Sequence, residues 1–79
     1  MITEADKDNA AVDAFAARMK RKLAEKRGEG RHGWQTCAPI DLAQMLVGHL
    51  GKGDPVDIAN FAMFLGSLDA SPEIGRAHV

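Results

Sequence analysis

Asp54 and Asp57 stand one helical turn apart within Gly53-Asp54-Pro55-Val56-Asp57-Ile58-Ala59-Asn60-Phe61-Ala62-Met63-Phe64-Leu65. Two acids at i and i+3 project from one side of a helix, the layout of half a divalent-metal site. Magnesium takes near-octahedral oxygen coordination, usually with carboxylates from more than one element. The preceding helical segment offers only Gln44, His49 and, at its start, Asp41 as partners. Both acids also have a purely structural reading. Asp54 caps the helix that Pro55 begins, and Asp57 completes the first turn, where a negative charge faces the positive end of the helix dipole.

The remaining reactive side chains are scattered. His32 falls in a glycine-rich loop, His49 on an apolar helix face and His78 near the end of the sequence, which matches no spaced metal motif. Cys37 is alone, so it forms no disulfide within the chain and supplies no thiolate zinc site, and no third group orients it as a nucleophile. Gly28-Glu29-Gly30-Arg31-His32-Gly33 has neither a Walker pattern nor a preceding strand. Trp34, beside it, is either a plug for the end of a helical core or a stacking platform next to Arg31 and His32.

Charge is unevenly distributed. The net charge is −1, which gives no global bias toward nucleic acid. Yet Arg18, Lys20, Arg21, Lys22, Lys26, Arg27 and Arg31 face only Glu25 and Glu29 over the same stretch. This run is either the solvated face of a helix or a docking stripe for an acidic surface or a phosphate backbone.

The elements that must carry these residues are helical. Thr3-Glu4-Ala5-Asp6 is an N-cap with acids in the first turn, and Val12, Phe15, Ala16, Met19 and Leu23 recur as an amphipathic stripe. Gly28 and Gly30 end that helix. Pro39 opens a second, with Leu42, Met45, Leu46, His49 and Leu50 on one face and Gly48 inside it. Gly51 and Gly53 close it. The third helix has Ile58, Phe61, Ala62 and Leu65 on one face and Val56, Met63, Phe64 and Leu68 around much of its girth. Such a helix is central or shared with another subunit. The expectation is one all-α domain over residues 1–79, with helices at about 4–27, 39–50 and 55–68, a Gly-rich loop at 28–38 and a loose tail at 70–79. Three helices in a chain of 79 residues with 46% hydrophobic content are expected to complete a bundle by dimerisation. No charged-then-apolar leader and no apolar run of spanning length are present, and with a lone cysteine this points to a soluble, cytoplasmic protein.

Several of these pieces together resemble a family. Lys22-Leu23-Ala24-Glu25-Lys26-Arg27, then Gly30-Arg31-His32-Gly33-Trp34, Asp41-Leu42, Met45-Leu46 and Gly53-Asp54-Pro55-Val56-Asp57-Ile58-Ala59-Asn60-Phe61-Ala62-Met63 resemble small phage- and prophage-encoded proteins related to the MazG-like all-α nucleotide pyrophosphohydrolases. The likeness spans about Phe15 to Leu65. In the enzymes it resembles, the second helix carries Glu-Glu-x-x-Glu and the next Glu-x-x-Asp, which hold Mg²⁺ at a triphosphate. Asp57 matches the last acid, Asp54 stands for the Glu before it, and Asn60 matches a polar position. The second helix here reads Ala43-Gln44-Met45-Leu46-Val47-Gly48-His49, without the acidic cluster.

The resemblance thus implies a scaffold that has kept the fold and lost the acids. The leading expectation is a non-enzymatic phage or mobile-element interaction protein that blocks a host defence component, in the manner of an anti-CRISPR protein, in the host cytoplasm. Its partner-binding residues would be Arg18, Lys20, Arg21, Lys22, Lys26, Arg27, Arg31 and Trp34, with no catalytic residue and no cofactor. The alternative is a MazG-like Mg²⁺-dependent pyrophosphohydrolase, with Asp54, Asp57 and Asn60 at the metal and Trp34 or Lys26 near the nucleotide. A second alternative is nucleic-acid binding through the basic run, which would show steep salt dependence.

Overall fold

A computed structural model describes residues 1–68, and three α-helices carry the chain: α1 (Glu4–Gly28), α2 (Pro39–Lys52) and α3 (Pro55–Ser67). There is no strand among the described residues. The tail expected at 70–79 lies outside them.

Local chemistry sets each helix end. At the start of α1 the Thr3 hydroxyl accepts the Asp6 N–H at 3.1 Å while the Asp6 carboxylate accepts the Thr3 N–H at 3.0 Å. This reciprocal box satisfies two donors that would otherwise be orphaned. Glu29 caps the other end, one residue later than the glycines suggested. The connection that follows is more ordered than a simple loop. Trp34–Thr36 form a 3-10 turn, entered through Gly33 at φ +90°, and the Thr36 hydroxyl donates to the Gly33 carbonyl at 3.1 Å.

Pro39 starts α2 and Pro55 starts α3, each where a missing N–H costs nothing. Of the two glycines expected to close α2, Gly51 lies inside it and Gly53 closes it, at φ +76°, where a side chain would be strained. Asp54 then caps α3 by accepting the Val56 N–H at 2.9 Å. Only Gly53 and Asp54 separate the helices, so α2 and α3 form a tight helical hairpin.

Helix α3 is the centre of the packing. Val56, Asn60, Phe64 and Leu65 are buried on it, and its neighbours are α2 and α1. The core joins Leu42 and Ala43 of α2 to Phe64 and Leu65, with Leu23, Trp34, Leu46, Phe61 and Met63 packed around them. The apolar girth of α3 is thereby covered in part within the chain, with Ile58, Phe61 and Met63 half-buried and Ala62 exposed.

The buried faces differ from those the spacing suggested. On α3, Ala62 is exposed, and Phe64, Val56 and Asn60 turn inward with Leu65. On α2, Met45 and Leu50 are exposed whereas Ala43 is buried. The cause is that the inner face of α2 is set by where α3 lies, and a helical wheel carries no record of that. On α1 the stripe is covered only in its second half. Val12 is 65% exposed, Phe15, Ala16 and Met19 are half-buried, and residues 1–14 are exposed throughout. At 1.5 Å per residue α1 is about 37 Å long and α3 about 20 Å, so α3 covers only about half of α1.

Candidate binding cleft at the junction of the helices

A cleft of about 760 Å³ opens between the second half of α1, the 33–37 turn, α2 and α3. Its floor is apolar and aromatic. Trp34 stacks on Phe64 with ring centroids 4.8 Å apart and planes 12° apart, and Phe61 meets Phe64 edge-on at 5.6 Å. Both contacts are preferred aromatic geometries. Leu42 and Met45 complete this wall. Trp34 therefore packs against the core, as the first of its two readings from sequence has it, and also lines the cleft.

One rim is basic. Lys26, Arg27 and Arg31 line it beside His32. Glu29 takes long, exposed contacts from Lys26 at 3.9 Å and Arg31 at 3.8 Å, which hold neither cation firmly. Arg27 has no ion pair among the described residues.

Lys22, Asp57 and Asn60 make another part of the lining polar, and beside it Asp54 and Asp57 share a partner. The Lys22 ammonium, reaching across from α1, lies 3.3 Å from Asp54 and 3.6 Å from Asp57. The hydrogen bond to Asp54 and the nearby Asp57 charge raise the Lys22 pKa. The Val56 N–H, followed by the Lys22 ammonium, lowers that of Asp54. A cation thus already occupies the side of α3 where a divalent ion would bind. No cluster of three or more His, Cys, Asp or Glu side chains that could hold a metal occurs among the described residues. The donor set present is therefore a poor fit to Mg²⁺, which needs several oxygen ligands and no ammonium among them.

His49 closes the far side of Asp57. Its Nδ1 is 3.7 Å from the Asp57 carboxylate, too long for a hydrogen bond, so Nδ1 is buried without a hydrogen-bond partner. The ring packs on Phe61 at 4.9 Å. Asn60, 4% exposed, donates to the Met19 carbonyl at 3.4 Å and ties α3 to α1, while its Oδ1 has no partner.

The basic run seen in the sequence is divided by the fold. Lys22, Lys26, Arg27 and Arg31 line the cleft together with Trp34. Arg18 and Arg21 line a second, shallow groove with Glu25 and Val56 that shares Lys22 with the cleft, and Lys20 is exposed and lines neither. Of the acids, Asp57 lines the cleft and Asp54 does not.

Sequence reasoning missed the contact between His49 and Asp57. It could have been found: the two stand four residues either side of Gly53, and such positions meet across a tight helical turn. Nothing in the sequence announces the contact of Lys22 with residues on α3. Cys37 is half-buried at the cleft wall, its thiol 3.8 Å from the Gly33 carbonyl. No described helix is long and apolar enough to cross a membrane. Set against protein-family models, curated proteins and solved structures, the chain matches none of them.

Proposed function

We propose that this chain is a non-catalytic interaction protein that receives an acidic segment of a partner protein at the junction cleft. The observation that carries this reading is the pairing of an aromatic floor with a basic rim whose cations are loosely engaged, while Asp54 and Asp57 are both in contact with Lys22. Exposed cations at a rim steer a negatively charged partner and set orientation, and a concave apolar floor supplies the burial that holds it. Lys26, Arg27, Arg31 and Trp34 carry this role. The resemblance to phage-encoded proteins extends the reading to a host defence component as the partner, met in the host cytoplasm; that extension rests on the resemblance alone.

The test is capture from host cells with the parent chain and with an Arg27→Glu, Arg31→Glu variant. A protein held by the parent and lost by the variant supports the proposal. Equal capture by both, or none by the parent, contradicts it.

A second reading, nucleotide hydrolysis, has one observation in its favour: Asp57, Asn60, Trp34 and Lys26 all line the same cleft. Incubation with nucleoside triphosphates and Mg²⁺ decides it, since release of pyrophosphate would establish catalysis. Binding of nucleic acid through the whole basic run is less favoured, because Arg18 and Arg21 line a groove that shares only Lys22 with the cleft of Arg27 and Arg31, and Lys20 lines neither.

A further inference from the structure

We infer that the first half of α1 is a self-association arm, lying antiparallel against the basic half of α1 in a second copy of this chain. Residues 1–14 are exposed along their whole length, and Val12, at 65% exposure, leads an apolar face that continues into half-buried Phe15 and Ala16. A helical segment of about three turns is marginal in water without tertiary support. Its capping box and alanines help, yet the face that would normally be packed is open.

Charge selects the occupant. The arm carries Glu4, Asp6, Asp8 and Asp13 against Lys7, whereas the other half of the helix carries Arg18, Lys20, Arg21, Lys22, Lys26 and Arg27 against Glu25. A parallel pair would set acids against acids. An antiparallel pair sets the acidic half of each copy on the basic half of the other, and two-fold symmetry makes that favourable contact twice.

The receiving surface is basic on balance. Arg18, Arg21 and Lys22 line a groove of about 150 Å³ with Glu25 and Val56, where α1 meets the start of α3. The Arg18 guanidinium lies 5.3 Å from the Phe15 ring centroid, which places this cation beside the apolar stripe. Lys22 lines both this groove and the junction cleft, whereas Arg18 and Arg21 line only the groove, so substitutions at those two test this inference separately from the proposed function.

Mass measurement by light scattering over a range of concentrations tests it, using the parent, an Asp8→Lys, Asp13→Lys variant and an Arg18→Glu, Arg21→Glu variant. All four positions are exposed, and retention of the cooperative thermal transition shows that the packed half still folds. The parent is expected to dimerise. Each reversal is expected to raise the dissociation constant by at least about tenfold, and an equimolar mixture of the two reversed proteins to form dimers that neither forms alone. A parent that stays monomeric at every concentration overturns the inference. So does a dimer indifferent to both reversals, or a mixture that remains monomeric.

Discussion

The two halves of α1 belong to one continuous helix and are held by different physics. The second half is fixed from outside: Leu23 packs on the core, Lys22 bridges to both acids of α3, and the Met19 carbonyl accepts from Asn60. The first half is fixed from within, by the Thr3–Asp6 box and by alanine propensity, with no buried residue. The contrast teaches that an amphipathic stripe in a sequence measures how much surface a helix could bury. How much it does bury depends on the length of its neighbours, and α3 is about half as long as α1.

The largest expected effects separate the halves by stability. Leu65→Ala or Leu42→Ala, each removing a side chain only 1% exposed, should cost about 2–5 kcal/mol in denaturant unfolding, within the range for buried leucines. Val12→Ala should change the monomer by less than about 0.5 kcal/mol. A Val12→Ala cost comparable with that of Leu65 would erase the distinction.

Next comes the hinge of the hairpin on which the second half of α1 rests. Gly53→Ala forces a β-carbon onto a φ of +76° and should cost about 1 kcal/mol, although nothing lies within 4 Å of the new atom. No loss in that variant would show that the turn relaxes freely.

Acid should then act on the two halves differently. The fold depresses the Asp54 pKa below its ordinary 3.8, so its contribution is complete above that value and is lost as the pH falls through the folded pKa. Lys22 has the opposite sign: its pKa is raised above 10.5, so its contribution is complete below that value and is lost as the pH rises through the folded pKa. Lys22→Met should therefore lower the thermal midpoint at neutral pH and make it less dependent on pH at both extremes. The smallest effect is expected at Asp6, whose pKa is lowered by the Thr3 N–H and hydroxyl. Protonating it should speed amide exchange in the first turns of α1 while leaving the exchange of α3 unchanged. Parallel changes in both would mean that the arm and the core open together.

Much of this fold is legible in the sequence because its punctuation is chemical. Thr3 with Asp6, Pro39, and Asp54 with Pro55 mark helix starts by the hydrogen bonds they make or omit, and they do so without reference to anything distant. The buried faces were less legible. Met45 and Leu50 satisfy the spacing of an inner face yet remain exposed, because the hairpin turns Leu42 and Ala43 toward α3. The site was legible in its composition and not in its connections. Asp54 and Asp57 stand out as a pair, but their partner is Lys22, more than thirty residues away, where it reads as one cation among many. That single contact changes the meaning of the acids from half of a metal site to the anchor of α1 on α3.

The account therefore turns on whether Lys22 or a divalent ion owns the face of α3 that Asp54 and Asp57 share. Titration of the isotope-labelled chain with Mn²⁺, followed by paramagnetic broadening of its amide signals, measures this directly. The account predicts no broadening centred on Asp54, Asp57 and Asn60 in the parent chain. Selective broadening at those three residues, at low metal concentration, would contradict it and return the acids to metal chemistry.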